Sequence, residues 1–264
     1  METPDPAPVL LRREGPLAFL TLNRPARLNA VSLPLYDALT ETLKAVSSDA
    51  SIRTVVISGA GRAFCVGADL KAHGETEPTL DDRRRYIAAA QQANRLLQTL
   101  PKPVVAAVNG HAIGAGLELA LSCDFVVVAE EAKLRLPEIA LGTFVGGGVT
   151  YTLVQRVGLA KAKELVLLAE FIEGREAVEL RLVNQCVPEE YVLETATNVA
   201  ARLAAMAPLP LALAKRLFDR AGYRDRDAAL MEEGEALLEC MKTHDWHEGV
   251  TAFHERRKPR FTGS

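Results

Sequence analysis

The stretch NGHAIGAGLELALSCD (109–124) sets a carboxylate among apolar neighbours, with Glu118 between Leu117 and Leu119 and followed by Ala120 and Leu121. An ionised carboxylate in such company is costly unless it is paired or hydrogen-bonded. A second acid, Glu138 in LRLPEIALGTFVGGG (134–148), is far enough along the chain to return over the same helix. Two carboxylates in one low-dielectric pocket do not both ionise readily, so one keeps a proton near neutral pH. Identical side chains then serve as an acid and a base. Each glutamate also has a purely structural reading. Glu118 could be a helix-end carboxylate held by backbone N–H groups, and Glu138 a first-turn residue after Pro137 that the helix dipole favours.

Two glycine-rich segments, FCVGADL (64–70) and GHAIGAGLE (110–118), each follow an apolar run and put small residues where backbone N–H groups can approach a ligand. Two such amides converging on one carbonyl oxygen form an oxyanion hole, and losing one donor of this kind costs on the order of 3 kcal/mol of transition-state stabilisation. A thioester suits that arrangement; plain turn glycines are the alternative for either loop alone. Other chemistries fail on spacing. GAGRAF (59–64) and GAGLEL (114–119) end in Phe64 and Leu119 where a dinucleotide fingerprint needs glycine, and no GxxxxGK[ST] or GxSxG occurs. HExxH is broken at Thr251. His244, Asp245 and His247 come together in sequence, but no complete metal-ligand set accompanies them.

The elements that must position these residues alternate. VLLRREGPLAFLTLNRP (9–25) reads as a hairpin broken at Glu14-Gly15-Pro16, and SLPLYDALTETLKAVSSD (32–49) as a helix capped by Ser32 with Pro34 in its first turn. TVVIS (54–58) is a strand, and HGETEPTLDDRRR (73–85) a polar, mobile segment before a helix over 87–100. Strand, glycine-rich turn, helix and strand follow over 104–130, then helical patterns over 146–158, 160–169 and 189–206. Short apolar strands alternating with helices indicate an α/β fold. Beyond Pro208 and Pro210 the pattern is purely helical, as in an annex that packs on another subunit.

Composition sets the outer limits. The 264 residues are 48% hydrophobic and 25% charged, within the ordinary globular range. A net charge of −3 gives no general attraction to nucleic acid or anionic lipid, although DDRRRY (81–86) and HERRKPR (254–260) are locally basic. The four cysteines, Cys65, Cys123, Cys186 and Cys240, form no CxxC pair and read as reduced, mostly buried thiols. No secretory layout and no bilayer-length apolar run is visible, so a cytoplasmic location without a membrane partner is expected.

In order and spacing, LNRPARLNAVS (22–32), GAGRAFCVGADL (59–70), PKPVVAAVNGHAIGAGLELALSCDF (101–125), LRLPEIALGTFVGGG (134–148) and HEGVTAFHERRKPRF (247–261) resemble the enoyl-CoA hydratase/isomerase (crotonase) family across essentially the whole chain. The resemblance implies a crotonase-like spiral of ββα units over 1–205. A C-terminal helical region over 206–264 would make trimers, often stacked as hexamers. It places the oxyanion-hole amides at Ala68 and Ala115, the water-handling glutamates at Glu118 and Glu138, and contacts to coenzyme A at Arg27, Ala68, Phe253 and Arg256. The reaction implied is hydration of the α,β double bond of an enoyl-CoA, or its reverse, with an acyl-CoA substrate and no metal or redox cofactor.

Three departures from the family pattern bear on the acyl pocket. Ala115 stands where many members have Gly, Val145 and Val149 flank the Gly146–Gly148 run where a Pro-Gly turn and Gly-Gly-Thr are common, and His111 replaces an aromatic or apolar residue. His111 is expected to pack under its loop rather than to react. Rival reactions on the same scaffold are double-bond isomerisation, thioester hydrolysis and decarboxylation. A non-catalytic binder of CoA esters or RNA is the alternative of another class, and retention of both glutamates favours hydration. The acyl group would be set by residues 73–86 and 143–151, with Arg83, Arg84 or Arg85 as candidates to meet an acidic acyl end.

Overall fold

A computed structural model describes residues 7–69, 78–223 and 225–264. The chain opens with an antiparallel hairpin of β1 (Val9–Glu14) and β2 (Leu17–Leu22), paired from Val9 opposite Leu22 to Glu14 opposite Leu17. Helix α1 (Leu33–Ser48) starts where Ser32 accepts a hydrogen bond from the Leu35 amide, and it turns Leu35, Tyr36, Leu39, Leu43 and Val46 inward. Three strand pairs then repeat one plan. β3 (Thr54–Gly59), β5 (Val104–Val108) and β7 (Phe125–Ala129) enter a large sheet. Their successors β4 (Ala63–Cys65), β6 (His111–Ile113) and β8 (Lys133–Arg135) enter a small one.

The large sheet has six strands in the order β1-β2-β3-β5-β7-β10, with β10 at Gln185–Val187 and every pairing after the first parallel. The small sheet has four, β4-β6-β8-β9, with β9 at Ile172–Glu173. Runs such as TVVIS and VVAAV are apolar throughout because a parallel sheet is covered on both faces, and all of Val104–Val108 is buried. This is the α/β spiral of ββα units that the sequence implies.

The helices are α2 (Leu80–Thr99), α3 (Ala115–Leu121), α4 (Val149–Leu167), α5 (Gly174–Glu179), α6 (Val192–Ala204), α7 (Pro208–Asp219), α8 (Arg226–Met241) and α9 (His244–His254). α6 lies against β3, β5 and β7, and α7 against α2. One sequence expectation needs correction. Helix α2 begins at Leu80 rather than near 87, because Thr79 and Asp82 form a reciprocal capping box that the polar composition of the segment disguised. Of the segment 73–86, residues 73–77 lie outside the described residues. Gly158, at φ 75° and ψ 165°, breaks α4 where the sequence separates two helical patterns. Among the described residues no single helix is long and apolar enough to cross a membrane.

Candidate active site

The small sheet and the ends of the large-sheet strands bring the two glycine-rich segments together. Val31 and Ala68 form an isolated parallel bridge, in which the Val31 amide donates to Gly67 O (2.8 Å) and the Asp69 amide donates to Val31 O (3.1 Å). The N–H of Ala68 itself therefore faces away from Val31. Close to this segment lies the other loop. Gly67 has φ +88°, and a Cβ there would sit 2.8 Å from Ile113 O and 3.7 Å from Ala115 N, so only glycine lets the two segments approach this closely. Ala115 is the first residue of α3, where an amide has no intrahelical acceptor. The structure thus brings the segments that carry Ala68 and Ala115 against one another, with both amides outside the helix and strand ladders.

Glu118 lies one turn into α3 and is only 6% exposed. Its Oε1 accepts a 2.8 Å hydrogen bond from the Gly146 amide. Burial pushes its carboxyl above the ordinary range, and the Gly147 and Gly146 amides pull part of the way back. Glu138 comes over from the turn after β8. Its Oε1 lies against Gly114, close enough that a Cβ at that residue would stand 2.6 Å from it, and its Oε2 is buried without a hydrogen-bond partner. Burial raises the proton affinity of Glu138 as well; its own amide lowers it, the Glu118 charge raises it and Arg135 lowers it. Glu138, half-buried, thus senses the charge of the more deeply buried Glu118, and burial is the main cause that raises both carboxyls.

Comparison with known proteins places the chain. A sequence model of the enoyl-CoA hydratase/isomerase family matches residues 12–264. The chain belongs to the enoyl-CoA hydratase/isomerase family. It is 39% identical to the 2,3-dehydroadipyl-CoA hydratase of Escherichia coli K12 over 97% of this chain and 98% of that protein. It is 36% identical to the short-chain-enoyl-CoA hydratase of Clostridium acetobutylicum, covering 95% of each. The crystal structure of an enoyl-CoA hydratase from Bacillus anthracis superposes with a TM-score of 0.93 at 34% identity, over 97% of this chain and 100% of that one.

Within this hydratase/isomerase chain the other expected residues fall in different places. Arg27 ends an exposed 3-10 turn (Pro25–Arg27), while Phe253 and Arg256 stand exposed at the end of α9. His111 is a correction. It is exposed on β6, accepting at Nδ1 from the Lys133 amide (3.1 Å), and does not pack under its loop. Among the described residues no group of three His, Cys, Asp or Glu side chains could hold a metal ion; Asp245 is occupied by the Thr262 and Gly263 amides at 2.7 and 2.9 Å.

Several site residues escaped sequence reasoning. Tyr36 of α1 and Tyr86 of α2 meet edge to face at 5.6 Å between ring centroids and hydrogen-bond to one another near Glu118. Burial raises both phenols, Tyr86 to about 12. Asn94 packs under Gly147, where a Cβ would lie 3.0 Å from its amide group. The Ser122 hydroxyl lies 2.8 Å from Asn94 Oδ1 and 2.9 Å from Glu118 O and accepts from Gln98 Nε2 (3.1 Å). A polar residue on the inner stripe of an amphipathic helix, as Asn94 is, was the one available signal for this network.

Proposed function

We propose that this chain is an enoyl-CoA hydratase, adding water across the α,β double bond of an acyl-CoA thioester or eliminating it in reverse. The thioester oxygen sits between the amides of Ala68 and Ala115, which offset the negative charge it gathers as the double bond is attacked. Glu118 holds a water, takes its proton and directs the hydroxyl to the β carbon, while Glu138 delivers the proton that completes the α carbon. The reverse step returns both. No electrons change hands, so acid–base chemistry and the amide clamp account for the whole reaction without a metal or redox cofactor.

One observation carries this reading: a buried acid, Glu118, and a half-buried one, Glu138, both with raised proton affinity, lie near two main-chain donors that no helix or strand ladder uses. A reaction that moves one proton can run on a single carboxylate, and the retention of both favours hydration. Arg27, Phe253 and Arg256, with Ala68, are proposed contacts to the coenzyme A portion. Phe253 is 81% exposed on its own chain, which suits contact with coenzyme A held by a neighbouring copy in a trimer, or in a hexamer of two trimers. The four free thiols fit a reducing compartment such as the cytoplasm, where CoA thioesters are metabolised.

The deciding assay offers crotonyl-CoA and a 3-enoyl-CoA side by side, following the conjugated thioester in the ultraviolet. Consumption of crotonyl-CoA with formation of the 3-hydroxyacyl product is expected. Turnover of the 3-enoyl ester with crotonyl-CoA left intact would replace hydration with isomerisation. Because the E. coli relative is named for an acyl group ending in a carboxylate, the panel should include dicarboxylic as well as short unbranched esters.

A further inference from the structure

The amide of Ala68 is held by a brace that begins in the hairpin's exit turn. Arg24 follows β2 and is mostly buried, its side chain 25% exposed. Its Nη2 donates to Asp69 Oδ2 at 2.9 Å, and its Nη1 donates to Ala30 O at 2.6 Å. Asp69 is next to Ala68, and its side chain is 6% exposed. Asn29, at φ 57° and fully buried, ties the same turn down: Oδ1 accepts from the Arg24 amide at 2.8 Å, and Nδ2 donates to Ala60 O and Ala63 O at 2.9 and 2.8 Å. One guanidinium fork thus spans the residue before Val31 and the residue after Ala68, clamping both sides of the bridge that turns the Ala68 N–H away from Val31.

We propose that Arg24 and Asp69 are positioning residues for the oxyanion hole, setting the direction of the Ala68 amide without touching the substrate. A planar fork with two donors in fixed geometry can hold Ala30 O and the Asp69 carboxylate together, which a lysine ammonium cannot reproduce. The brace also connects Ala68 to the turn that carries Arg27, so the proposed coenzyme A contact and the thioester clamp share one support. This inference rests on the hydratase reading for its rate measurement, though not for its spectroscopic one.

The test compares wild type with Arg24→Gln, Arg24→Lys and Asp69→Asn. Each protein is measured for kcat and KM on crotonyl-CoA, and for the infrared carbonyl stretch of a bound, isotopically labelled 3-hydroxyacyl-CoA. A misaimed donor predicts a kcat lower by about 10- to 100-fold in Arg24→Gln, with KM within about 3-fold and a carbonyl stretch shifted back toward its solution value. Arg24→Lys recovers part of both. Loss of thermal stability with kcat and the carbonyl stretch unchanged would overturn the proposal and leave the pair a purely structural ion bridge. If Arg24→Gln does not fold, Arg24→Lys and Asp69→Asn decide by the same two readouts. A wild type that shifts the carbonyl of the bound ester yet fails to hydrate would sink the reaction assigned above, while the carbonyl comparison would still judge the brace.

Discussion

Glu118 and Glu138 differ in what holds them, and the difference suits the tasks proposed for them. Glu118 is fixed by the Gly146 amide, as a group that must orient a water should be, whereas Glu138 sets Oε1 against Gly114 and keeps a buried Oε2 without a partner. Replacing either by Gln should lower kcat by about 10²- to 10⁴-fold on crotonyl-CoA, the range expected for a lost general acid or base. Both carboxyls are raised above 4.5, so the acid limb of kcat/KM should lie above that pH; a limb at or below 4.5 would show the acids to be solvated. Stability carries the same sign. A carboxyl whose folded value is raised contributes fully below 4.5 and loses that contribution as pH climbs through the raised value. The urea midpoint of Glu118→Gln should therefore rise relative to wild type across that interval and then level off. Gly114 gives a steric test. At φ 52° and ψ −124°, with Glu138 Oε1 2.6 Å from a would-be Cβ, Gly114→Ala should lose about 1–3 kcal/mol to backbone strain and displace the acid, cutting kcat by about 10-fold or more.

Helices of this fold are pinned to the sheet by polar ties as well as by apolar packing. Lys215 of α7 is buried, its Nζ donating to Asp124 Oδ2 at 2.8 Å and to Leu97 O at 2.9 Å, so the first of the C-terminal helices is anchored to the end of α2 and the start of β7. Asp124 Oδ2 also accepts from the Val104 amide at 2.7 Å, which extends the tie to β5. Removing one member of a buried pair leaves the other charge uncompensated. Lys215→Met should accordingly cost about 3–5 kcal/mol in urea unfolding, with much of it returned in Lys215→Met/Asp124→Asn. Neither residue belongs to the proposed machinery, so kcat of the folded fraction should be unchanged; a fall in kcat without a fall in stability would contradict this division.

Over the whole molecule, large apolar side chains collect on the surface of the C-terminal helices. Phe218 is 78% exposed, Met231 67%, Leu238 60% and Leu230 59%, more than an isolated domain ordinarily leaves in water. We expect sedimentation equilibrium to return a multiple of 28.6 kDa, with Phe218→Asp/Met231→Asp displaced toward the single chain. A wild type that sediments as one chain would remove the proposed trimer, and with it the role of Phe253 toward a neighbour's coenzyme A.

The order of elements was legible in the chain because strand and helix periodicity is local. The β-branched runs at 54–58 and 104–108, the helix start at Ser32 and the hairpin turn at Gly15 all carry their signals within a few residues. That Glu118 needs a polar partner was legible as chemistry, since an acid in an apolar helix demands one, and the Gly146 amide supplies it. Five of the strands, β4, β6, β8, β9 and β10, span only two or three residues, too few for any period, and the small sheet they mostly build exists only through pairing across the fold. Likewise Arg24, Asp69, Tyr36 and Tyr86 show nothing in sequence of the partners they hold. Distances across the fold arise when the spiral closes, and that closure alone decided which loops approach each other, how far each acid is desolvated and which side chains tie those loops together.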